Sequence, residues 1–452
     1  MSSGRVLLVS ANSETLPSPV YPLALAHLAG ALGQKGYSVR QYDLQAHGPA
    51  ALKTMIKDAK PDLVGISIRN IDNIDSGPGR FYLDEYREIV DSIRACTKAP
   101  IVAGGSGFSL FPREAIASVG ADYGIVGAGE QAVCELMEVV KSQRAASSVR
   151  GLVAAGGDGP VGTGKVIASP HVAHDPEIVD FYWRHGGMIG VRTKHGCPGE
   201  CSYCTYPLIE GRTVVLDDPA QVVGQMERLV KDHGVDYFFI VDSVFNLSRE
   251  HDEALVRELV RRGLKIRWGA FFTPKGIDRE YLRMLKGSGL EHVELGSDSM
   301  SERMLESYRK GFTVGDIVRA SEACGEENVY CAHYVIFGGP GETQDTVRET
   351  IANAERLERC IIFPFAGARV YPGTRLYEEA VRDAVVSRED NCLRPTFYFA
   401  RGLSRESIWQ MVEGAPGAGK WALSARLAEQ EPMMRRFRER GIKGPMWEYL
   451  MA

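Results

Sequence analysis

Three cysteines carry the densest chemistry in this sequence. Cys197, Cys201 and Cys204 lie in the run Lys194-His-Gly-Cys-Pro-Gly-Glu-Cys-Ser-Tyr-Cys-Thr-Tyr-Pro207, a Cys-x3-Cys-x2-Cys spacing. Three nearby thiolates can each hold one iron of a 4Fe–4S cube, leaving the fourth iron open to an outside ligand. A cluster used only to carry electrons would want a fourth cysteine close by, and the next one is Cys324. Zinc is the competing reading. It prefers four closed ligands, and His195 could complete that set.

Polar and small residues collect at a second group of places. Ser10-Ala-Asn12, Ser67-Ile-Arg69-Asn70, Gly104-Gly-Ser106-Gly107 and Gly127-Ala-Gly-Glu130 each follow an apolar run. Glycine there lets backbone approach a bulky ligand, although tight turns use the same residues. Asp242 ends Phe-Phe-Ile-Val-Asp242, Asp298 stands in Glu294-Leu-Gly-Ser-Asp-Ser299, and Tyr308 opens Tyr308-Arg-Lys-Gly311. A carboxylate at a strand end can accept hydrogen bonds from hydroxyl or ammonium groups. A phenol can move a proton or pack in a core with its hydroxyl on backbone.

The elements that must position these residues fall into two series. Over residues 1–145, apolar runs at Val6–Ser10, Ser38–Tyr42, Leu63–Ile68, Ile101–Ala103 and Tyr123–Val126 alternate with helical patterns. That alternation predicts an α/β domain, a parallel sheet with helices on both faces, which binds ligands beyond the carboxyl ends of its strands. Residues 146–185 are rich in Gly, Pro and His and read as a linker. Over residues 186–380, strands are expected at Gly187–Arg192, Tyr237–Val241, Lys265–Ala270, His292–Leu295, Tyr330–Phe337 and Phe365–Tyr371, with amphipathic helices such as Pro219–His233 between them. Residues 381–452 read as a small helical domain capping the mouth of whatever the strands build. Gly414-Ala-Pro-Gly-Ala-Gly-Lys420 imitates a phosphate loop, but Trp421 follows the lysine where that motif needs Ser or Thr.

Composition narrows the class. The chain has 452 residues, more than one compact core accommodates, with 44% hydrophobic and 25% charged residues. A net charge of −5 offers no electrostatic footprint for nucleic acid or an anionic membrane. No apolar run reaches membrane-spanning length, and the one near the N-terminus is too short for a signal peptide. Nine cysteines do not read as a disulfide framework, and thiolate-bound iron wants a reducing compartment. The expected location is the cytoplasm.

In order and spacing these motifs resemble the cobalamin-dependent radical S-adenosylmethionine (SAM) family. Beside the cysteines and Tyr203, they include Asp242, Asp298, Gly338-Gly-Pro-Gly-Glu-Thr343 and Tyr371-Pro-Gly-Thr374. The resemblance implies a Rossmann-like, flavodoxin-like cobalamin-binding domain, then a partial (β/α)6 barrel similar to a TIM barrel. It implies three cofactors: a 4Fe–4S cluster on Cys197, Cys201 and Cys204; SAM beside Tyr203, Asp242 and Asp298; and cobalamin held by Asn12, Ser67, Arg69, Gly104, Gly105, Ser106 and Gly127. An electron donor would reductively activate the enzyme.

Two departures from the family pattern bear on chemistry. The Asp-x-His-x-x-Gly element that ligates cobalt is absent: Asp43-Leu-Gln-Ala-His47-Gly48 has the wrong spacing, which leaves His47 a solvated loop residue. Arg69 replaces the leucine of Ser-x-Leu, and a guanidinium has no lone pair to donate. It would favour cobalt free of a lower ligand, unless it pairs with Asp72 or Asp75 at the surface. Tyr308 stands where the family has an aliphatic residue. With Arg69 and Tyr308 in catalytic roles, the sequence is similar to the tryptophan 2-C-methyltransferases of thiopeptide biosynthesis. That similarity implies polar methyl transfer to indole carbon 2 of free tryptophan. The alternative is a radical C-methylase acting on an unactivated carbon of another natural product or lipid intermediate.

Overall fold

The computed structural model describes residues 4–77, 79–142, 149–157, 162–415, 418–422 and 431–451. The α/β reading holds. The first sheet has the order Ser38–Asp43, Arg5–Ser10, Leu63–Ser67, Ile101–Gly104, Tyr123–Ile125, Leu152–Ala154. The first five strands are parallel and the sixth pairs antiparallel with Tyr123–Ile125. The central strands are buried on both sides, as their unbroken Val, Leu and Ile content requires.

The sixth strand corrects the domain boundary. Leu152–Ala154 lies in the stretch read as linker, yet it completes the first sheet. Later in the same stretch, Ile178, Val179 and Tyr182 of the helix Pro176–His185 belong to the core of the second sheet. The helix is set by Asp175, whose carboxylate accepts from the Glu177 and Ile178 amides, with Pro176 at its first position.

The second sheet is an open barrel of six parallel strands: Ile189–Val191, Tyr237–Ile240, Arg267–Phe272, Leu290–Asp298, Tyr330–Phe337 and Cys360–Ala366. The last strand lies earlier than Phe365–Tyr371. Pro364 interrupts its apolar run and reads as a breaker. The strand is the sheet's edge, where a missing amide costs no ladder bond.

The C-terminal segment also departs from expectation. Its final turn, Met446–Leu450, does not cap the mouth: it closes the opposite end, where the barrel strands begin. Glu448 hydrogen-bonds Tyr237, the first residue of its strand, and Trp447 packs with Ala332, Ile361 and Phe363. The phosphate-loop mimic is no nucleotide site. A helix, Arg405–Glu413, precedes it and Lys420 Nζ donates to the Ala354 carbonyl at 2.9 Å; Pro416 and Gly417 lie outside the described residues. No described helix is long and apolar enough to cross a membrane.

Candidate active site

The cysteine loop is held by one buried carboxylate. Asp242, at the end of its barrel strand, accepts from the Thr193 amide at 2.7 Å, the Thr193 hydroxyl at 2.5 Å and the Lys194 amide at 3.1 Å. The Lys194 ammonium, almost wholly buried, lies 3.3 Å from Asp242 and 3.1 Å from Asp252 and donates to the Phe245 carbonyl. This corrects the assignment of Asp242 to SAM. Its oxygens are engaged in fixing the stem from which Cys197 departs.

Beyond that stem the three cysteines sit on a short loop. The Cys197 amide donates to the Gly211 carbonyl at 3.0 Å and the Cys204 amide to Cys201 at 3.2 Å. All three are free thiols. Burial pushes Cys204 up to about 12 and raises Cys201, and charge on the neighbouring thiols acts in the same direction. A Cβ on Gly199 would stand 3.3 Å from Cys197 Sγ and 4.0 Å from Cys201 Sγ, in the space the sulfurs face. Three clustered thiols, with Cys201 and Cys204 resisting ionisation alone, beside space kept clear by a glycine, fit a site whose metal displaces the protons. Among the described residues, no three His, Cys, Asp or Glu side chains converge on one ion, as a single zinc would need. In a cube each thiolate takes its own iron, so the donor set fits the cluster.

Beside the loop lies a compact polar group. Tyr203 Oη donates a short hydrogen bond to Asp298 Oδ2, and Lys310 Nζ lies 2.5 Å from the same oxygen. Burial would lower the Lys310 pKa, but Asp298 and then Cys201 outweigh it and raise it. Asp298 has φ of +59°, a left-handed backbone that strains a non-glycine residue and recurs at functional sites. Its Oδ1 receives no hydrogen bond from the described residues, which leaves one oxygen for a ligand's ammonium or hydroxyl. Lys310 was legible only as a neighbour of Tyr308. Its contact with Asp298 folds the loop after the Asp298 strand back onto that strand's own end.

Tyr308 does not stand in this group as a base. It is fully buried, and its hydroxyl donates to the Ile336 carbonyl at 3.0 Å. Arg309 points away to Glu200 and Lys310 to Asp298. Burial, then Glu342 and Asp298, raise its pKa well above the ordinary phenol value. Neither neighbouring cation therefore favours its ionised form.

The small-residue loops of the first domain meet this centre across a cleft. The helix Ser106–Leu110 packs against Tyr206–Ile209, the helix that follows Cys204. Gly105 has φ of +109°, and a Cβ there would stand 2.6 Å from the Ile68 carbonyl oxygen, so only glycine brings the two loops together. The Ser106 hydroxyl donates to the Arg69 carbonyl at 2.9 Å. Gly127, also at positive φ, donates its amide to Ser109 Oγ at 3.0 Å. Ser67 and Gly104 are Cα partners at adjacent strand ends. Asn12 is buried and its amide group bonds only the Glu14 backbone, so it shapes its loop.

Arg69 is solvent-exposed yet ringed by Tyr206, Tyr182, Tyr86 and Glu14, and burial among them lowers its pKa. The side chain is thus open to solvent with protein groups around it. The nearby carboxylates that could have neutralised it are engaged elsewhere. Asp72 pairs with Arg369 at 3.1 Å and Asp75 with Arg405 at 3.9 Å, and Arg69 forms no ion pair among the described residues. His47 is packed rather than solvated. It stacks on Tyr42, accepts from the Asp43 amide and pairs with Glu177 at 3.3 Å, turned to another face of the domain.

One ion-pair chain ties the cleft's two walls. Glu130, from the loop of Gly127, lies 3.7 Å from Arg192, which lies 3.1 Å from Asp217 and directly precedes Thr193. Burial would raise the Glu130 pKa, but His27 and Arg192 hold it down at about 2. The loops that would hold cobalamin are thereby braced on the stem of the cysteine loop.

Comparison with known families and structures agrees with this geometry. Residues 9–137 match the B12 binding domain family, and residues 191–354 match the radical SAM superfamily. Tryptophan 2-C-methyltransferase of Streptomyces laurentii is 27% identical over 82% of this chain and 74% of its own. The radical SAM methyltransferase TsrM of Kitasatospora setae, solved with cobalamin and a [4Fe-4S] cluster, is 26% identical. It superposes with a TM-score of 0.86 over 100% of this chain and 98% of its own. A second structure of TsrM holds tryptophan and a SAM analogue. OxsB, a cobalamin-dependent SAM radical enzyme, shares the fold at a TM-score of 0.74 and 16% identity, covering 97% of this chain and 72% of its own.

Proposed function

This chain belongs to the cobalamin-dependent methyltransferases of the radical SAM superfamily, and on that footing we propose that it methylates carbon 2 of the indole of L-tryptophan by polar transfer. The observation that carries the reading is Arg69, a guanidinium in the cleft with no carboxylate partner among the described residues. It offers five donors and no lone pair, so toward a cobalamin bound in this cleft it would act as a fixed positive charge and not as a ligand, which suits a metal that accepts a methyl group. The full-length likeness to TsrM supports the same acceptor.

When bound, the cluster with SAM supplies the methyl source and cobalamin the metal that relays it. The protein's own part is placement. Cys197, Cys201 and Cys204 would each hold one iron, on a stem locked by Asp242 and Lys194. Asp298 Oδ1 would take the ammonium or a ribose hydroxyl of SAM, while Tyr203 and Lys310 fix its other oxygen. Gly105 and Ser106 hold the loop of Arg69 against the cleft floor. The Glu130–Arg192 pair sets the distance between the walls.

Anaerobic reconstitution with iron, sulfide and hydroxocobalamin, followed by SAM and L-tryptophan, tests the proposal. The expected products are methyltryptophan and S-adenosylhomocysteine in equal amounts, with no 5′-deoxyadenosine. Formation of 5′-deoxyadenosine matching product would indicate the radical C-methylase instead.

A further inference from the structure

Methylation of an aromatic carbon by an electrophilic methyl group leaves a ring cation that must lose a proton. Tyr308 is tied to backbone and Tyr203 to Asp298. Tyr206 borders the cleft, but its hydroxyl bonds no carboxylate among the described residues. Tyr237 has a carboxylate behind it, Glu448, but at the closed end where the strands begin. Tyr334 has one as well, further along its strand.

Tyr334 projects into the lumen from the strand Tyr330–Phe337 and is only half-buried. Its ring stacks on Phe363 at 5.2 Å and Phe365 at 6.2 Å and meets Phe271 at 6.0 Å. Phe365 is 39% exposed, so this aromatic wall presents an open face. The next residue, Val335, is the Cα partner of Asp298, so Tyr334 stands one residue before the level of Asp298 on the neighbouring strand. The Tyr334 hydroxyl donates to Glu294 Oε2 at 2.7 Å.

We propose that Tyr334, backed by Glu294, is the group that takes the proton from the methylated ring. The inference rests on the reading that the acceptor is an aromatic carbon. The ring carbon forms its bond to a methyl group delivered without its electron pair, with SAM as the ultimate donor. The proton on that carbon then leaves, and the C–H electron pair restores aromaticity. It passes to Tyr334 Oη as Tyr334's own proton moves to the Glu294 carboxylate. Nothing is oxidised or reduced.

The surroundings of Glu294 suit an acceptor. Buried in an aromatic lumen, it has a pKa raised by desolvation, against the opposing pull of His292 and Tyr334. Facing it are His292 on its own strand, with Nε2 3.6 Å from Oε1, Tyr334 on the next strand, and Trp447 and Glu448 on the C-terminal turn. Below these, Tyr237 and Glu448 hydrogen-bond His292 Nδ1 at 2.8 and 2.9 Å, and Arg267 lies over the Tyr237 ring.

The test compares the reconstituted wild type with Tyr334→Phe, which keeps the ring and removes the hydroxyl. General-base loss predicts a fall in methyltryptophan formation of about 10²–10⁴-fold. Iron content and Tm should match wild type, and L-tryptophan affinity by equilibrium dialysis should stay within about threefold, well below that range. The acid limb of the wild-type rate profile, set by Glu294, should also disappear. If Tyr334→Phe lowers Tm, Glu294→Gln reads the same step at nearly constant volume, with the same expected loss. A Tyr334→Phe enzyme with wild-type rate and an unchanged acid limb overturns the assignment while leaving the substrate reading intact. A wild type that leaves tryptophan unmethylated overturns the substrate reading and this assignment with it.

Discussion

Tyr308 Oη donates to the carbonyl oxygen of Ile336 at 3.0 Å, joining the loop after Asp298 to the next barrel strand. A Cβ on Gly339 would stand 2.2 Å from that hydroxyl, so the phenol fills its slot completely. Tyr308→Phe should therefore leave methyl transfer within about threefold of wild type, far from the loss expected for a general base. The cost should appear in stability, about 1–3 kcal/mol for a buried carbonyl left without its donor, read as a lower Tm.

Arg69→Leu restores the residue common in the family and retains much of the volume. Cobalamin should still bind, because Gly105 and Ser106 keep the loop in place. The Co(II) EPR spectrum should gain the signature of an axial oxygen donor, and methyl transfer should slow by roughly tenfold or more, at least about 1.4 kcal/mol in the barrier. Wild-type rate with an unchanged spectrum would remove Arg69 from the lower face.

Asp242→Asn separates structure from SAM binding. It leaves Lys194 with Asp252 as its one remaining carboxylate, and breaking such a buried pair costs about 3–5 kcal/mol. Tm and iron loading should fall together. The SAM affinity of the molecules that retain a cluster should be unchanged; a SAM-specific defect at normal iron content would return Asp242 to the SAM site.

Glu342 gives the protein a pH signature. Burial pushes its carboxyl up to about 7, against two backbone donors at Gly338 and Gly339. Its other oxygen, Oε1, is buried without a partner and is the natural place for the proton. The folded-state pKa is raised, so the native state binds the proton more tightly than the unfolded chain does. This stabilisation is fully present below the unfolded glutamate value and is lost as pH rises through about 7. The contribution is roughly 3 kcal/mol at most. Glu342→Gln should flatten the decline of stability between about pH 4.5 and 7 in denaturant titrations.

What the sequence revealed is what is local in it. The three cysteines are a contiguous spacing, and Tyr330–Phe337 and Pro219–His233 carry complete periodic patterns with clear ends, so both appear at the predicted residues. Leu152–Ala154 is too short to announce a strand and is defined by its partner Tyr123–Ile125. Asp242 and Asp298 look alike in sequence, each an acid closing an apolar strand. Only the neighbouring loops, Thr193–Lys194 for one and Tyr203 with Lys310 for the other, separate a brace from a ligand site. Tyr334 alternates as any core strand residue would, and its link to Glu294 runs to the neighbouring strand. The plug at the strand starts depends on Glu448 reaching Tyr237, a pairing no local pattern encodes.

In the proposed polar transfer an intact methyl group passes to an aromatic carbon of tryptophan without a substrate radical. The direct measurement uses SAM with a trideuterated methyl group and tryptophan deuterated at indole carbon 2, followed by mass spectrometry and NMR of the product. Polar transfer predicts a CD3 group on carbon 2, complete loss of the carbon-2 deuterium and none of it recovered in 5′-deoxyadenosine. Deuterium transferred to 5′-deoxyadenosine, or a methyl group at any other position, would contradict it.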